Sequence, residues 1–217
     1  MGKHALLIEW PNRIDESILD NIIHFTRILE AQKDSDLINY TPAYNSILLQ
    51  YTKDVDIIKK SKRVLILYET TASISSIKPT VWDIPVCYDE TFGLDHSLFI
   101  DKGLTREEVV SIHTSASYRV YMIGFLPGFL YLGGLSERLY MPRKNKPRQR
   151  VPKGSVGIGG EQTGIYPLES PGGWQIIGRT PFSLFDKNKD SPCQIKQGDV
   201  IQFYPIDRNE YDNLLSH

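Results

Sequence analysis

Twelve of the sixteen glycines in this 217-residue chain fall between residues 122 and 181, together with seven of the thirteen prolines, whereas residues 1–85 hold a single glycine, Gly2. So many helix breakers in sixty residues leave room only for short strands joined by tight turns, the grammar of a closed or nearly closed β-barrel. The glycine-poor part mixes apolar runs with helical spacing. The shift marks a domain boundary near residue 85 and an α+β chain with units at 1–85 and 86–217.

In the first unit, Ala5 to Glu9 reads as a strand. Ile14, Ile18, Ile22, Phe25 and Leu29 then recur at three- and four-residue steps, which predicts a helix over 14–30 with Asn12 placed to cap it. Leu37–Tyr40 and Ser46–Tyr51 flank a Thr41-Pro42-Ala43-Tyr44-Asn45 turn, as in a β-hairpin. Between Asp54 and Ala72 two signals compete: Val64 to Tyr68 has the content of a strand, while Ile58, Leu65 and Tyr68 fit a helical stripe begun by an Asp cap. The helix is preferred. With a last strand near Val81–Tyr88 the order becomes βαββαβ, a ferredoxin-like sandwich of two helices on a four-stranded antiparallel sheet. In the second unit, Thr105-Arg106-Glu107-Glu108 is a capping box opening a helix to about Thr114, followed by a strand over Tyr118–Phe125 and a late one at Val200–Phe203.

Charge excludes some partners. Lys plus Arg is 25 and Asp plus Glu is 26, so no global field draws the chain to nucleic acid or an acidic membrane. Cys87 and Cys193 have neither zinc spacing nor the density of a disulfide framework, which points to a reducing cytoplasm. The apolar run near Met1 is too short for a signal peptide, and no stretch approaches the roughly 20 apolar residues of a membrane span. Sequence-local chemistry is absent too. No P-loop is present, Gly157-Ile158-Gly159-Gly160-Glu161-Gln162 lacks the third glycine of a dinucleotide fingerprint, no serine stands in a nucleophile elbow, and no histidine pair has ligand spacing, so no metal site is readable.

Three segments carry information. Tyr121 to Leu132 contains Gly124-Phe125-Leu126-Pro127-Gly128-Phe129, where Gly and Pro interrupt an aromatic run; Phe125 and Phe129 are core aromatics beside a turn, or the wall of a pocket. Arg143 to Lys153 holds six basic residues in eleven, with Pro142, Pro147 and Pro152 stiffening it. It is a solvated loop, or it holds Arg143 and Arg148 as bidentate forks for a carboxylate or phosphate. Gly159 to Pro181 combines paired glycines, Gly159-Gly160 and Gly172-Gly173, with Gln162, Thr163, Tyr166, Ser170, Trp174 and Arg179. Either these are barrel corners plugged by Trp174, or the glycines let backbone amides approach a ligand that the polar side chains orient. His113, in the last turn of a predicted helix, is a catalytic candidate whose plainer role is to complement the helix dipole.

These segments, in this order, resemble the KipI family, which comprises the B subunits of 5-oxoprolinase, allophanate hydrolase subunit 1-like proteins and the sporulation kinase inhibitor. The likeness runs through M-I-G-F-L-P-G-F, P-R-x4-P-R, V-P-x-G-S-V-G-I-G-G, Q-T-G-I-Y-P and S-P-G-G-W-x-I-I-G-R-T-P between Tyr118 and Pro181, with Leu130 standing where members often have proline. Weaker elements are Ile84 to Asp89 and Gly198 to Phe203. The resemblance implies a small N-terminal α/β domain followed by a cyclophilin-like barrel of carboxyltransferase type. It implies two companion proteins, a C subunit of related barrel fold and an A subunit, in an assembly that opens the lactam 5-oxoproline to glutamate with ATP, the nucleotide being held through the assembly. The alternatives within the family are inhibition of a histidine kinase and an allophanate- or urea-type amidohydrolase.

Overall fold

The computed structural model describes residues 4–52, 55–70 and 78–216. Two compact units divide between Lys78 and Pro79. The first contains β1 (Ala5–Glu9), α1 (Glu16–Gln32), β2 (Leu37–Pro42), β3 (Ser46–Tyr51) and α2 (Ile57–Thr70). Its sheet has the antiparallel order β1-β3-β2. The apolar stripe of α1 is buried through Ile18, Leu19, Ile22, Phe25, Ile28 and Leu29. Its cap is Asp15, whose Oδ1 accepts from the N–H groups of Ser17 at 2.9 Å and Ile18 at 3.3 Å. Asn12, the expected cap, lies too far upstream and instead accepts from the Tyr44 hydroxyl. The ambiguous stretch is helical: Asp56 caps α2 by accepting from Ile58 and Lys59 N–H.

The four-stranded ferredoxin-like sheet is corrected by the next element. β4 (Val81–Cys87) does not join the first unit's sheet, which has three strands among the described residues. It pairs in parallel with β12 (Val200–Ile206), from Val81↔Val200 to Cys87↔Ile206. The reason is burial: Ile84 through Tyr88 are all buried, a continuous run that suits a strand covered on both faces and not one with a wet side.

The second unit continues with α3 (His96–Ile100), α4 (Arg106–Thr114), β5 (Ser117–Ile123), β6 (Leu130–Gly133), a 3-10 turn (Glu137–Leu139), β7 (Arg148–Val151), β8 (Ser155–Gly159), β9 (Gln162–Ile165), β10 (Ser170–Gly172), β11 (Gln175–Arg179), β12 and α5 (Arg208–Leu215). The capping box at Thr105 and Glu108 opens α4. Seven strands close a barrel in the order β11-β4-β12-β5-β6-β9-β8, with β8 returning to β11, while β7 and β10 form a separate ribbon. Closure leaves the barrel no unpaired strand edge. Its core includes Ile84, Val86, Tyr118, Val120, Leu130, Leu132, Val156, Ile158, Ile165, Ile177, Ile201 and Phe203. Among the described residues no helix is long and apolar enough to cross a membrane.

Candidate functional site

The loop between β5 and β6 closes on itself. Gly124 N–H donates to Phe129 O at 3.1 Å and Phe129 N–H to Leu126 O at 3.0 Å. This turn leaves Phe125 at φ 70°, in the left-handed region, with the residue 60% exposed. Phe125 meets Phe129 edge-on at 5.6 Å between centroids. Phe129 is buried and sits at the centre of the cluster, with Tyr131 at 4.8 Å, Tyr166 at 4.9 Å and Trp174 at 5.4 Å. Above the indole of Trp174 stands the guanidinium of Arg143, 5.5 Å from the ring centre. A continuous row thus runs from Phe125 through Phe129 and Trp174 to Arg143.

The basic segment is pinned at three points, although much of it stays exposed. Gln175 Nε2 donates to Pro142 O at 2.8 Å, and Lys144 N–H to Gly173 O at 2.6 Å. Asp95, 3% exposed, provides the third clamp. Its Oδ1 takes Lys144 Nζ and Arg148 Nη2, each at 2.8 Å, and its Oδ2 accepts from Ile176 N–H at 2.7 Å. Burial pushes the Asp95 pKa up, but hydrogen bonds from Arg148, Lys144 and Ile176 outweigh it and hold the carboxyl below its ordinary value. Arg148 is thus held through Nη2 by a carboxylate it shares with Lys144, while its Nη1 is buried without a hydrogen-bond partner. Arg150 pairs with Glu169 at 3.1 Å. Arg143 is the arginine of this segment that meets no carboxylate among the described residues.

His113 and Thr163 lie elsewhere, inside the barrel. Both are 0% exposed. The Thr163 hydroxyl donates to Gly157 O at 3.0 Å, so it accepts from His113 Nε2–H at 2.9 Å, which leaves Nδ1 to accept from the Tyr88 hydroxyl at 2.7 Å. Hydrogen-bond direction fixes the neutral tautomer. Burial drops the His113 pKa to about 3, and the ring stacks on Phe203 at 4.6 Å. The expectation of a catalytic His113 is corrected accordingly, and so is the dipole role, because a neutral imidazole with both nitrogens occupied offers neither a proton nor a charge.

Arg179 is also separate. Its guanidinium lies over Phe92 at 4.6 Å, a ring that carries Arg208 as well at 4.5 Å. Gln162 opens β9 opposite Gly159, and the Ser170 hydroxyl donates to Pro171 O. The glycines expected to admit a ligand are explained inside the chain. A Cβ on Gly159 would stand 2.6 Å from the Trp174 indole, and one on Gly172 2.4 Å from the Tyr166 hydroxyl. Gly160, at φ 69°, turns the β8–β9 hairpin, and Gly173 offers its carbonyl to Lys144. Sequence reasoning missed Asp95, Lys144, Tyr131 and Tyr88. The proline spacing signalled that the basic segment is rigid, yet nothing local to Asp95 announces a partner 53 positions away.

A family model described as carboxyltransferase domain, subdomain C and D, matches residues 1–195. The chain belongs to this family. Within the carboxyltransferase family it is 35% identical over 229 residues to the B subunit of 5-oxoprolinase from Bacillus subtilis (strain 168), covering 97% of this chain and 93% of the relative. It is 50% identical over 124 residues to the B subunit of 5-oxoprolinase from Escherichia coli O157:H7, covering 57% of each. These relatives support the KipI and allophanate hydrolase subunit 1-like grouping. The solved structure of TTHA0988 superposes with a TM-score of 0.81 at 30% identity over 94% of this chain. This chain spans 40% of the length of that one.

Proposed function

We propose that this chain is the B subunit of an ATP-dependent 5-oxoprolinase, which works with the A and C subunits in the cytoplasm to open 5-oxoproline to glutamate. The observation that carries the reading is the near full-length similarity to the Bacillus subtilis relative. In this reading residues 79–217 form a cyclophilin-like, carboxyltransferase-type barrel whose surface contributes to a composite site. A lactam resists water because its amide is stabilised by resonance, and transferring a phosphoryl group to its oxygen turns that oxygen into a leaving group. The site then needs cationic forks, oriented donors and exclusion of water more than a nucleophile. The exposed ends of the row, Phe125 and Arg143, offer an apolar ring and a cation, while the sealed His113 supplies no base. Nucleotide binding and the attacking water belong to the partners.

The test is reconstitution. The chain is purified alone and with the A and C subunits, and 5-oxoproline-dependent ADP release and glutamate formation are measured. The chain alone turns over no faster than a mock preparation, and the three together are active. Activity of the isolated chain, or inactivity of a stable assembly of all three proteins, overturns the proposal.

A further inference from the structure

The geometry points to a protein-docking face, with Phe125 as its apolar anchor and the outward cations of residues 142–153 as its rim, fitted to an acidic surface of a companion subunit that offers the ring a recess. The inference rests on the reading of this chain as one subunit of an assembly, and names the surface that assembles.

Charge is the first observation. Residues 142–153 hold six of the chain's 25 cations and none of its 26 carboxylates. The segment sorts them by direction. Lys144 and Arg148, with side chains 25% and 24% exposed, share the buried Asp95. Arg143, Lys146, Arg150 and Lys153 are exposed. Among the described residues, Arg150 alone of these four meets a carboxylate, that of Glu169, and the pair is so open to water that it is worth little. A cationic strip thus stands on a chain with a net charge of -1. Without a chain-wide field to draw a polyanion, such a strip suits a local acidic surface of matching outline.

Restraint is the second observation. Asp95, Gln175 and Gly173 pin the segment, and Pro142, Pro147 and Pro152 limit its backbone. A charged loop that serves only solubility needs no such restraint. A docking face gains from it, because little conformational freedom remains to be lost on association.

Phe125 supplies the anchor. Its φ of 70° is costly for any residue but glycine, and the turn that imposes it leaves the residue 60% exposed. Leu168, next to the Pro167 that lies beside Gly128 of the same turn, is exposed as well. From Phe125 the rings step 5.6 Å to Phe129 and 5.4 Å to Trp174, and the Arg143 guanidinium is 5.5 Å further on. Three such steps keep anchor and cation within one patch, since a standard interface covers roughly 800 Å2 on each partner and is roughly 30 Å across. An aromatic anchor with a polar rim is the anatomy of such an interface.

Pairwise binding tests this. The purified chain is titrated with each companion subunit by calorimetry over a range of salt, and its folding is followed by near-ultraviolet circular dichroism and urea unfolding. The wild-type pair weakens as salt rises. Lys146→Glu and Lys153→Glu together weaken pairing by about 10-fold or more at low salt and flatten the salt dependence, with the urea midpoint unchanged. Phe125→Gly separates anchor from scaffold: glycine relaxes the left-handed backbone, so the urea midpoint is kept or raised, while pairing weakens about 10- to 100-fold. A lower midpoint with unchanged affinity means that the ring only supports the fold, and overturns the inference. Lys59→Glu with Lys62→Glu, on α2, makes the same change in net charge and leaves affinity within about twofold. An equal loss there is a non-specific charge effect and also overturns it. Affinity within about twofold of wild type for the Lys146→Glu, Lys153→Glu variant or for Phe125→Gly overturns the inference and leaves the subunit reading standing. A wild-type chain that pairs with neither companion, offered singly or together, overturns the reading and the inference with it.

Discussion

A neutral histidine sealed in a barrel makes the fold sensitive to acid. His113 has a pKa of about 3 in the folded chain, lowered by burial from an ordinary 6.5. Below the ordinary value the unfolded chain takes up a proton that the folded chain refuses, so stability falls as pH drops, by about 1.4 kcal/mol per pH unit for one such group. His96 is lowered too, first by burial and then by Arg106, and adds with the same sign. Asp95 contributes in a lower window: its carboxyl is held below the ordinary value, so its stabilisation is lost only as pH falls below about 4 through the folded pKa. Urea unfolding between about pH 6 and pH 4.5 therefore reports the histidines, and His113→Phe, which keeps the stack on Phe203, flattens the pH slope by about one proton even though it is less stable near pH 7. A slope equal to wild type would mean that the folded chain protonates His113. Little of this was legible in the sequence. The position of His113 in the last turn of α4 could be read, but its partners lie 25 and 50 positions away, at Tyr88 and Thr163.

Among elements, the glycine-rich strands β8 and β9 show which of the two purposes left open by the sequence their glycines serve. Their glycines did require short strands and turns, and the closed barrel has them. The space beside Gly159 and Gly164, however, is filled by Trp174 and not by a ligand. Gly157 and Gly159 stand two residues apart and so face the same way on β8, where Trp174 lies across both. The clearest consequence is at Gly164, where a Cβ would lie 2.4 Å from the Leu130 carbonyl oxygen and 2.9 Å from the indole. The oxygen belongs to the strand paired with β9 and cannot move without breaking the ladder. Gly164→Ala is expected to lose about 2 kcal/mol or more, read as a lower urea midpoint. A midpoint within error of wild type would show that Trp174 and β6 yield more easily than close packing implies.

At the scale of the whole molecule, helices α1 and α2 and the hairpin were legible because helical spacing, an Asp cap on α2 and a proline turn are local signals, even though the cap of α1 was expected at Asn12 and stands at Asp15. The allegiance of β4 was not, because a strand's partner is a non-local fact, set here by the ladder to β12, 119 positions from Val81 to Val200. That allegiance predicts where the chain can be cut. A fragment of residues 79–217 keeps all seven barrel strands, whereas one of residues 86–217, starting at the boundary suggested by composition, loses Val81 to Pro85 and with them five of the seven residue pairs between β4 and β12. It also loses Ile84, fully buried in the core, and the Trp82 indole and Thr80 N–H that donate to Asp199. The barrel then opens between β11 and β12, exposing two unpaired edges and the apolar interior behind them, which is a route to aggregation. The 79–217 fragment is expected to unfold in one cooperative transition with intact near-ultraviolet circular dichroism, and the 86–217 fragment to show neither. Equal cooperativity in both would mean that β4 is dispensable and that the barrel closes by another pairing.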